Sequence, residues 1–450
     1  MPSRRASSFP ATVAVTLASR WAMLVCLLAS GVVVARALGP GDKGAFVLTY
    51  LLLNQTVSVG NFGVPQALVY HTASGRLSRS DAVGHLILCS LACAAVATVP
   101  YWVVVRVAGA QLFPGVAART LMLIALLLAP SLLLANAGGL LRGLGRLDLF
   151  NALSLFDAVI RLAAVVVALP LLHLGLPGAV QATALATVVT GVASVVLAVV
   201  AARVAPTWNL RALGPVIGYG FKSYLTVVLQ MTERKIDVFM LGALLAPEAV
   251  AWQVGLYSVA VSMAELPRQV SGAVSTVLLP KISKASTADG AAALATVPRV
   301  SRNLLAVNVA FGVVLAVAAR PALGLLYGHA FLSAFVPVLI LLPGVVAASV
   351  WNVLQAEMVG TGHPARLSAF AGLTLVLNVA INLVTIPRWG IAGAALTSGI
   401  TYSLLSVLLL LDYRARNRTV RMRELIVPRR ADLAVYLRML GREALPGRAP

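Results

Sequence analysis

Residues 140–180 read LLRGLGRLDLFNALSLFDAVIRLAAVVVALPLLHLGLPGAV. A basic, glycine-containing turn opens this stretch, a mostly apolar run follows, and Leu169-Pro170 with Gly175-Leu176-Pro177-Gly178 closes it. The run is long enough for one helical crossing, which takes about 20 apolar residues. It does not alternate, and because lipid offers the backbone no hydrogen-bond partners, only helices or closed barrels can span. A membrane helix is the reading that fits.

The rest of the chain extends this pattern. Its 450 residues are 60% hydrophobic and only 11% charged, with a mean hydropathy of +0.93. Soluble domains are about 45–50% apolar. Runs punctuated by Pro, Gly and charge place spans at 13–35, 45–70, 82–105, 119–140, 149–170, 178–202, 216–245, 250–279, 301–325, 332–358, 367–387 and 391–412. The first of these follows Arg4 and Arg5 and contains Arg20, with no cleavage motif at its end, and is read as a retained span.

A second stretch, EMVGTGHPARLSAFAGLTLVLNVAINLVTIPRWGIAGAA over residues 357–395, repeats the grammar of the first. Pro170 answers Pro387, and Gly178 answers Gly393. Upstream, Leu38-Gly39-Pro40 followed by GAFVLTY parallels Leu245-Ala246-Pro247 followed by VGLYSVA. These landmarks recur in one order at separations of roughly 205–220 residues, the signature of an internal duplication. Because six spans precede the second copy, both copies enter the membrane with the same orientation, related by a two-fold axis along the membrane normal. The expected fold is an all-α polytopic membrane protein of about twelve helices in two parallel six-helix bundles. The expected division is a lobe over 1–206, a second lobe over 207–413 and a basic tail over 414–450.

Charge sidedness sets the orientation. Lys+Arg number 35 against 14 Asp+Glu, a formal charge of +21. The positives gather in alternate connections (Arg76 and Arg79; Arg142 and Arg146; Arg203 and Arg211; Lys281, Lys284, Arg299 and Arg302; Arg366) and in the tail from Arg414 onward. Retention of Lys and Arg on the cytoplasmic side then places both termini in the cytoplasm. Arg414, Arg416, Arg418, Arg421 and Arg423 can meet anionic headgroups there. No basic groove interleaved with aromatics points to nucleic acid.

Cys26, Cys89 and Cys93 lie in apolar runs without metal-ligand spacing, and the histidines form no cluster. GYGFKS from Gly218 has Phe221 where a phosphate loop needs glycine. No cofactor, metal or ATP site is expected, and no paired carboxylates or nucleophile in the outer connections argue for an enzyme.

The junctions carry a resemblance. ARALGPGDKGAF from Ala35, LLRGLGRLDLFN from Leu140, GLYSVAVSMAELP from Gly255 running on to STVLLPKIS, LYGHAF from Leu326 and LVTIPRWGIAGAAL from Leu383 together resemble the polysaccharide-transporter branch of the multidrug/oligosaccharidyl-lipid/polysaccharide exporter superfamily. The resemblance implies a flippase that carries a polyprenyl-diphosphate-linked oligosaccharide across a bacterial cytoplasmic membrane for cell-surface polysaccharide biosynthesis. It implies partners among membrane lipids and other polysaccharide-assembly proteins. The competing readings are a drug/cation antiporter of the same superfamily and, less favoured, a membrane glycan polymerase or ligase.

Intramembrane charges narrow the candidate residues, since each costs at least about 2.5–3.5 kcal/mol at the bilayer centre. Asp157 and Arg161 are four apart, share a face and are read as a structural pair. Glu265 and Arg268 flank Pro267, which can kink the eighth span. In the seventh span Glu233 and Asp237 share one face, Lys235 points nearly opposite, and Arg234 lies between. Arg20 has no acidic residue in its own span. A diphosphate needs donors in a low-dielectric path, and Arg supplies a planar fork matched to phosphate oxygens. Arg20 and Arg268, with Arg234 or Lys235, are therefore the expected diphosphate ligands. Glu233 and Asp237 are the candidate site for a coupling proton or sodium ion.

Overall fold

The computed structural model describes residues 9–209, 213–269, 271, 290–361, 363–429 and 432, and the described residues are helices joined by short turns. Arg4, Arg5, the later part of the eighth span, Lys281, Lys284 and residues 433–450 lie outside them.

Among the described residues, eight helices are long and apolar enough to cross a membrane. Two of these, Ala18–Gly60 and Ala365–Arg416, are each folded at a glycine, Gly39 (φ 71°) and Gly390 (φ 54°), and so supply two crossings apiece. The seventh crossing is divided into Leu213–Glu233 and Ile236–Leu244. The eighth begins as Pro247–Ala264. Among the described residues, helices cover all or part of each of the twelve spans the hydropathy pattern predicts, running a few residues past the apolar runs at most ends.

The duplication is visible in the backbone. Gly175 and Gly390 open the sixth and twelfth spans within matching GLPGA and GIAGA sequences, and both have positive φ (61° and 54°). A residue with a Cβ is strained there, whereas glycine is not. At the Gly390 fold the freed Ile391 N–H donates to Gln253 Oε1 at 3.2 Å, so the interrupted backbone is satisfied by a side chain of the eighth span.

The contacts group the chain into two compact units. The first comprises 1–262, 320–337 and 375–397. Between helices in lipid there is little hydrophobic drive, so small residues and polar contacts hold the bundle. Gly139 and Gly143, four apart on the helix Leu128–Gly143, lie against the backbone of Pro65 and Leu68 on Val64–Ala73. Asn136 Nδ2 donates to Ser90 Oγ at 2.8 Å, tying the fourth span to the third.

Within this unit, Gly44 of the second span meets the carbonyl of Ala251 in the eighth, and Gly255 of the eighth meets the carbonyl of Pro40 in the second. Each glycine is opposed by the residue four before the other. Such reciprocity is what a two-fold axis produces. Arg36 donates to the Leu325 carbonyl at the same end of the spans.

The second unit comprises 263–319, 338–374 and 398–450. Gly344 and Gly399 bring the tenth and twelfth spans into backbone contact. Past the twelfth span the chain folds back on itself. Arg416 makes bidentate hydrogen bonds to Glu357 at 2.8 and 2.9 Å and another to Asp412 at 2.7 Å. Leu425 of the short helix Met422–Ile426 is fully buried. Arg302 clamps Asp432 at 2.5 and 2.9 Å. Of the tail arginines expected to meet headgroups, Arg416 is spent on carboxylates, while Arg414, Arg418, Arg421 and Arg423 are exposed.

The Arg302 bonds hold the Asp432 carboxyl down at about 2. A depressed carboxylate contributes stability that is complete above its unfolded value of about 3.9 and is lost as pH falls through the folded value. Tail docking is therefore expected to be constant from pH 5 to 8. Asp432→Asn should release it at neutral pH, seen as faster tryptic cleavage after Arg418, Arg421 and Arg423. Cleavage matching wild type would refute the clamp.

Candidate functional site

Two cavities of about 420 Å³ each open within the first unit, among spans of the N-terminal half. One is lined by Met23, Ser58, Asn61, Gln66, Arg142, Phe150, Ser154, Asp157 and, from the seventh span, Met231. The other is lined by Ser30, Phe46, Tyr50, Asn54, Ser131, Arg161, Thr183 and Thr187. The Asp157–Arg161 pair stands between them. Arg161 Nε lies 3.0 Å from both carboxylate oxygens, and Nη1 donates to Thr187 Oγ1 at 3.2 Å. The pair is half-buried, and mutual neutralisation relieves the desolvation each charge would otherwise carry.

Arg20 is half-buried on the first span. It sits three residues before Met23, on the face that lines the first cavity.

The seventh span breaks at Arg234-Lys235, between helices ending at Glu233 and starting at Ile236. Periodicity predicts an unbroken helix here; the structure instead places the two cations in the interruption. Glu233 and Asp237 are buried, Lys235 is exposed and Arg234 is intermediate, so the faces divide as the helical spacing predicts.

Asp237 accepts hydrogen bonds from Tyr257 Oη at 2.9 Å and Asn382 Nδ2 at 3.0 Å. Asn382 Nδ2 also donates to Asn378 Oδ1 at 2.8 Å. The carboxylate thus lies in a polar cluster drawn from the seventh, eighth and eleventh spans. Tyr257, Asn378 and Asn382 are absent from the sequence reading, which followed formal charge. The available signal was two Asn residues one helical turn apart in a span that carries no formal charge.

Arg268 belongs to the second unit. It is 5% exposed, lies 3.2 Å from Glu265, and its guanidinium stacks over the rings of Trp351 and Tyr402 at 5.6 and 5.5 Å. Cation–π contacts of this kind strengthen when desolvated. The helix is interrupted at Glu265, within the Glu265-Leu266-Pro267 stretch where the sequence places a kink, and resumes at Leu266.

In the sequence Arg142 reads only as a topology charge. The structure puts it in the wall of the first cavity. Among the described residues no three His, Cys, Asp or Glu side chains gather as a metal site.

The model of a family described as polysaccharide biosynthesis protein matches residues 33–336. No curated protein matches the chain. Among solved structures, the lipid II flippase MurJ in an inward closed conformation superposes with a TM-score of 0.73 at 12% identity, covering 97% of this chain and 94% of that one. An inward-facing multidrug resistance MATE family transporter of the MOP superfamily gives 0.69 at 13% identity, covering 90% and 98%. An outward-facing member gives 0.60 at 17%, covering 89% and 96%. At these identities the likeness is one of fold.

Proposed function

The chain belongs to the polysaccharide biosynthesis protein family, and we propose that it flips a polyprenyl-diphosphate-linked oligosaccharide across the bacterial cytoplasmic membrane by alternating access. The observation that carries this reading is a cation fixed inside a membrane bundle: Arg268, almost fully buried and held between two aromatic rings. An arginine kept in low dielectric at such cost suits a substrate whose diphosphate must leave water. Arg20, beside a polar cavity, and Arg234 and Lys235, in an interrupted span, complete the proposed diphosphate ligands. Discontinuous helices near the midplane are a recurrent feature of transporter binding sites.

In this reading the arginine-rich connections and both termini face the cytoplasm, and the two lobes, 1–206 and 207–413, rock about the two-fold axis. Asp237, with Glu233 nearby in sequence, takes up a proton or sodium ion that drives the cycle. The drug/cation antiporter reading keeps the same fold and replaces the substrate with an organic cation.

A leaflet-accessibility assay of lipid-linked oligosaccharide in cells depleted of the protein tests the proposal. Accumulation in the inner leaflet is expected, and an unchanged distribution would sink it. Exchange of organic cations for sodium or protons by the reconstituted protein would favour the antiporter.

A further inference from the structure

In the cavity lined by Met23, Asn61, Gln66, Arg142, Ser154 and Asp157, Arg142 supplies the cation among the described lining residues that no carboxylate offsets. Asp157 is already bound through both oxygens to Arg161. Arg142 itself is oriented by two contacts. Its Nε donates to the Gly138 carbonyl at 3.0 Å, and its guanidinium carbon stands 5.1 Å above the centre of the Phe150 ring. A Cβ at Gly138 would come within 3.2 Å of that ring, so the glycine leaves Phe150 room to lie beneath the guanidinium.

The bond and the stack fix the plane of the fork. They leave its two terminal nitrogens without a protein acceptor among the described residues, and the side chain is exposed rather than sealed. A planar donor fork held ready in this way matches phosphate oxygens bidentately. On the same wall, Gln66 Oε1 is buried and has no hydrogen-bond donor. A carbohydrate hydroxyl is the donor that a phosphate-linked sugar would bring there.

We propose that this cavity is an anion subsite, with Arg142 gripping phosphate oxygens and Gln66 accepting from the adjoining sugar. The identity of the ligand as a lipid-linked sugar phosphate rests on the flippase reading, whereas the anion chemistry does not. Phosphate at this end of the bundle has two sources, the diphosphate of such a substrate and the headgroup of an ordinary phospholipid, and the experiment separates them.

The full chain in nanodiscs of zwitterionic lipid is titrated with inorganic pyrophosphate. Arg142→Gln is expected to weaken binding by about 10-fold or more, the loss typical of a charge-assisted hydrogen-bond pair. Arg142→Lys, which keeps the charge but not the fork, should fall between that variant and wild type. Arg421→Gln, on the exposed tail, should bind as wild type does. Monodisperse elution of each variant shows that binding, not folding, is being read.

Wild-type affinity in Arg142→Gln, or no pyrophosphate binding by the wild type, overturns the proposal. So does a response of Arg142→Gln confined to nanodiscs containing phosphatidylglycerol, which makes the residue a headgroup anchor. The leaflet assay is read separately: normal flipping by Arg142→Gln removes the subsite and spares the flippase, while pyrophosphate binding without flipping by the wild type does the reverse.

Discussion

Valine at Gly44 or at Gly255 is expected to abolish the proposed flipping. A Cβ at Gly44 would lie 1.6 Å from the Ala251 carbonyl oxygen, and one at Gly255 would lie 1.9 Å from that of Pro40. Both opposing atoms are backbone, so no rotamer change relieves the clash, and the second and eighth spans must separate at this end. Close-packed interiors transmit such strain rather than absorb it, and overpacking costs about 1–3 kcal/mol even where neighbours can yield. Because the contact is reciprocal, either substitution should open the same seam between the second and eighth spans. Gly31, with nothing within 4 Å of a built Cβ, is the control, and Gly31→Val should flip normally. Membrane yield and elution profile separate failed folding from failed transport. The milder Gly44→Ala keeps the test informative, since its single added carbon already meets the same oxygen. Wild-type flipping by Gly44→Ala and Gly255→Ala would show that this contact is dispensable.

In the proposed ion-coupled cycle, Asp237→Asn should uncouple flipping from the ion gradient. The carboxylate is 2% exposed and receives hydrogen bonds from Tyr257 and Asn382. Asparagine preserves an acceptor for those donors and removes only the charge, so the fold should survive. Asp237→Ala takes the shared acceptor from Tyr257 and Asn382, and a buried polar group left unsatisfied costs about 1–3 kcal/mol. The expected readout is gradient-driven flipping that falls about 100-fold in Asp237→Asn, to the rate wild type shows with ionophores; one decade in rate corresponds to about 1.4 kcal/mol. If Asp237→Asn and wild type respond alike to ionophores, Asp237 is a structural acceptor and the coupling group lies elsewhere. Glu233→Gln, assayed in parallel, divides the role between the two carboxylates.

How the charged residues are used shows where sequence reading stops. Four-residue spacing announces the Asp157–Arg161 pair, since partners on one helix turn are set by local geometry. The clamp of Arg302 on Asp432 and the bidentate hold of Arg416 on Glu357 have no such local sign. A basic tail looks the same in sequence whether its arginines face headgroups or carboxylates. Arg142 gave a topology signal and nothing more, although its ring partner Phe150 stands in the same junction motif.

Hydropathy, charge and the Gly/Pro junctions are enough to read the twelve crossings, the duplication and the connections at 36–44 and 388–390. Lipid obliges each span to satisfy its own backbone, so hydropathy, proline and glycine act locally and are read locally. Which groups meet emerges once the helices pack: Asp237 with Asn382, Arg268 between Trp351 and Tyr402, and Gly44 against the eighth span. Those pairings depend on how each helix is rotated and packed against its neighbours, which hydropathy leaves unspecified because lipid and a neighbouring helix are similarly apolar.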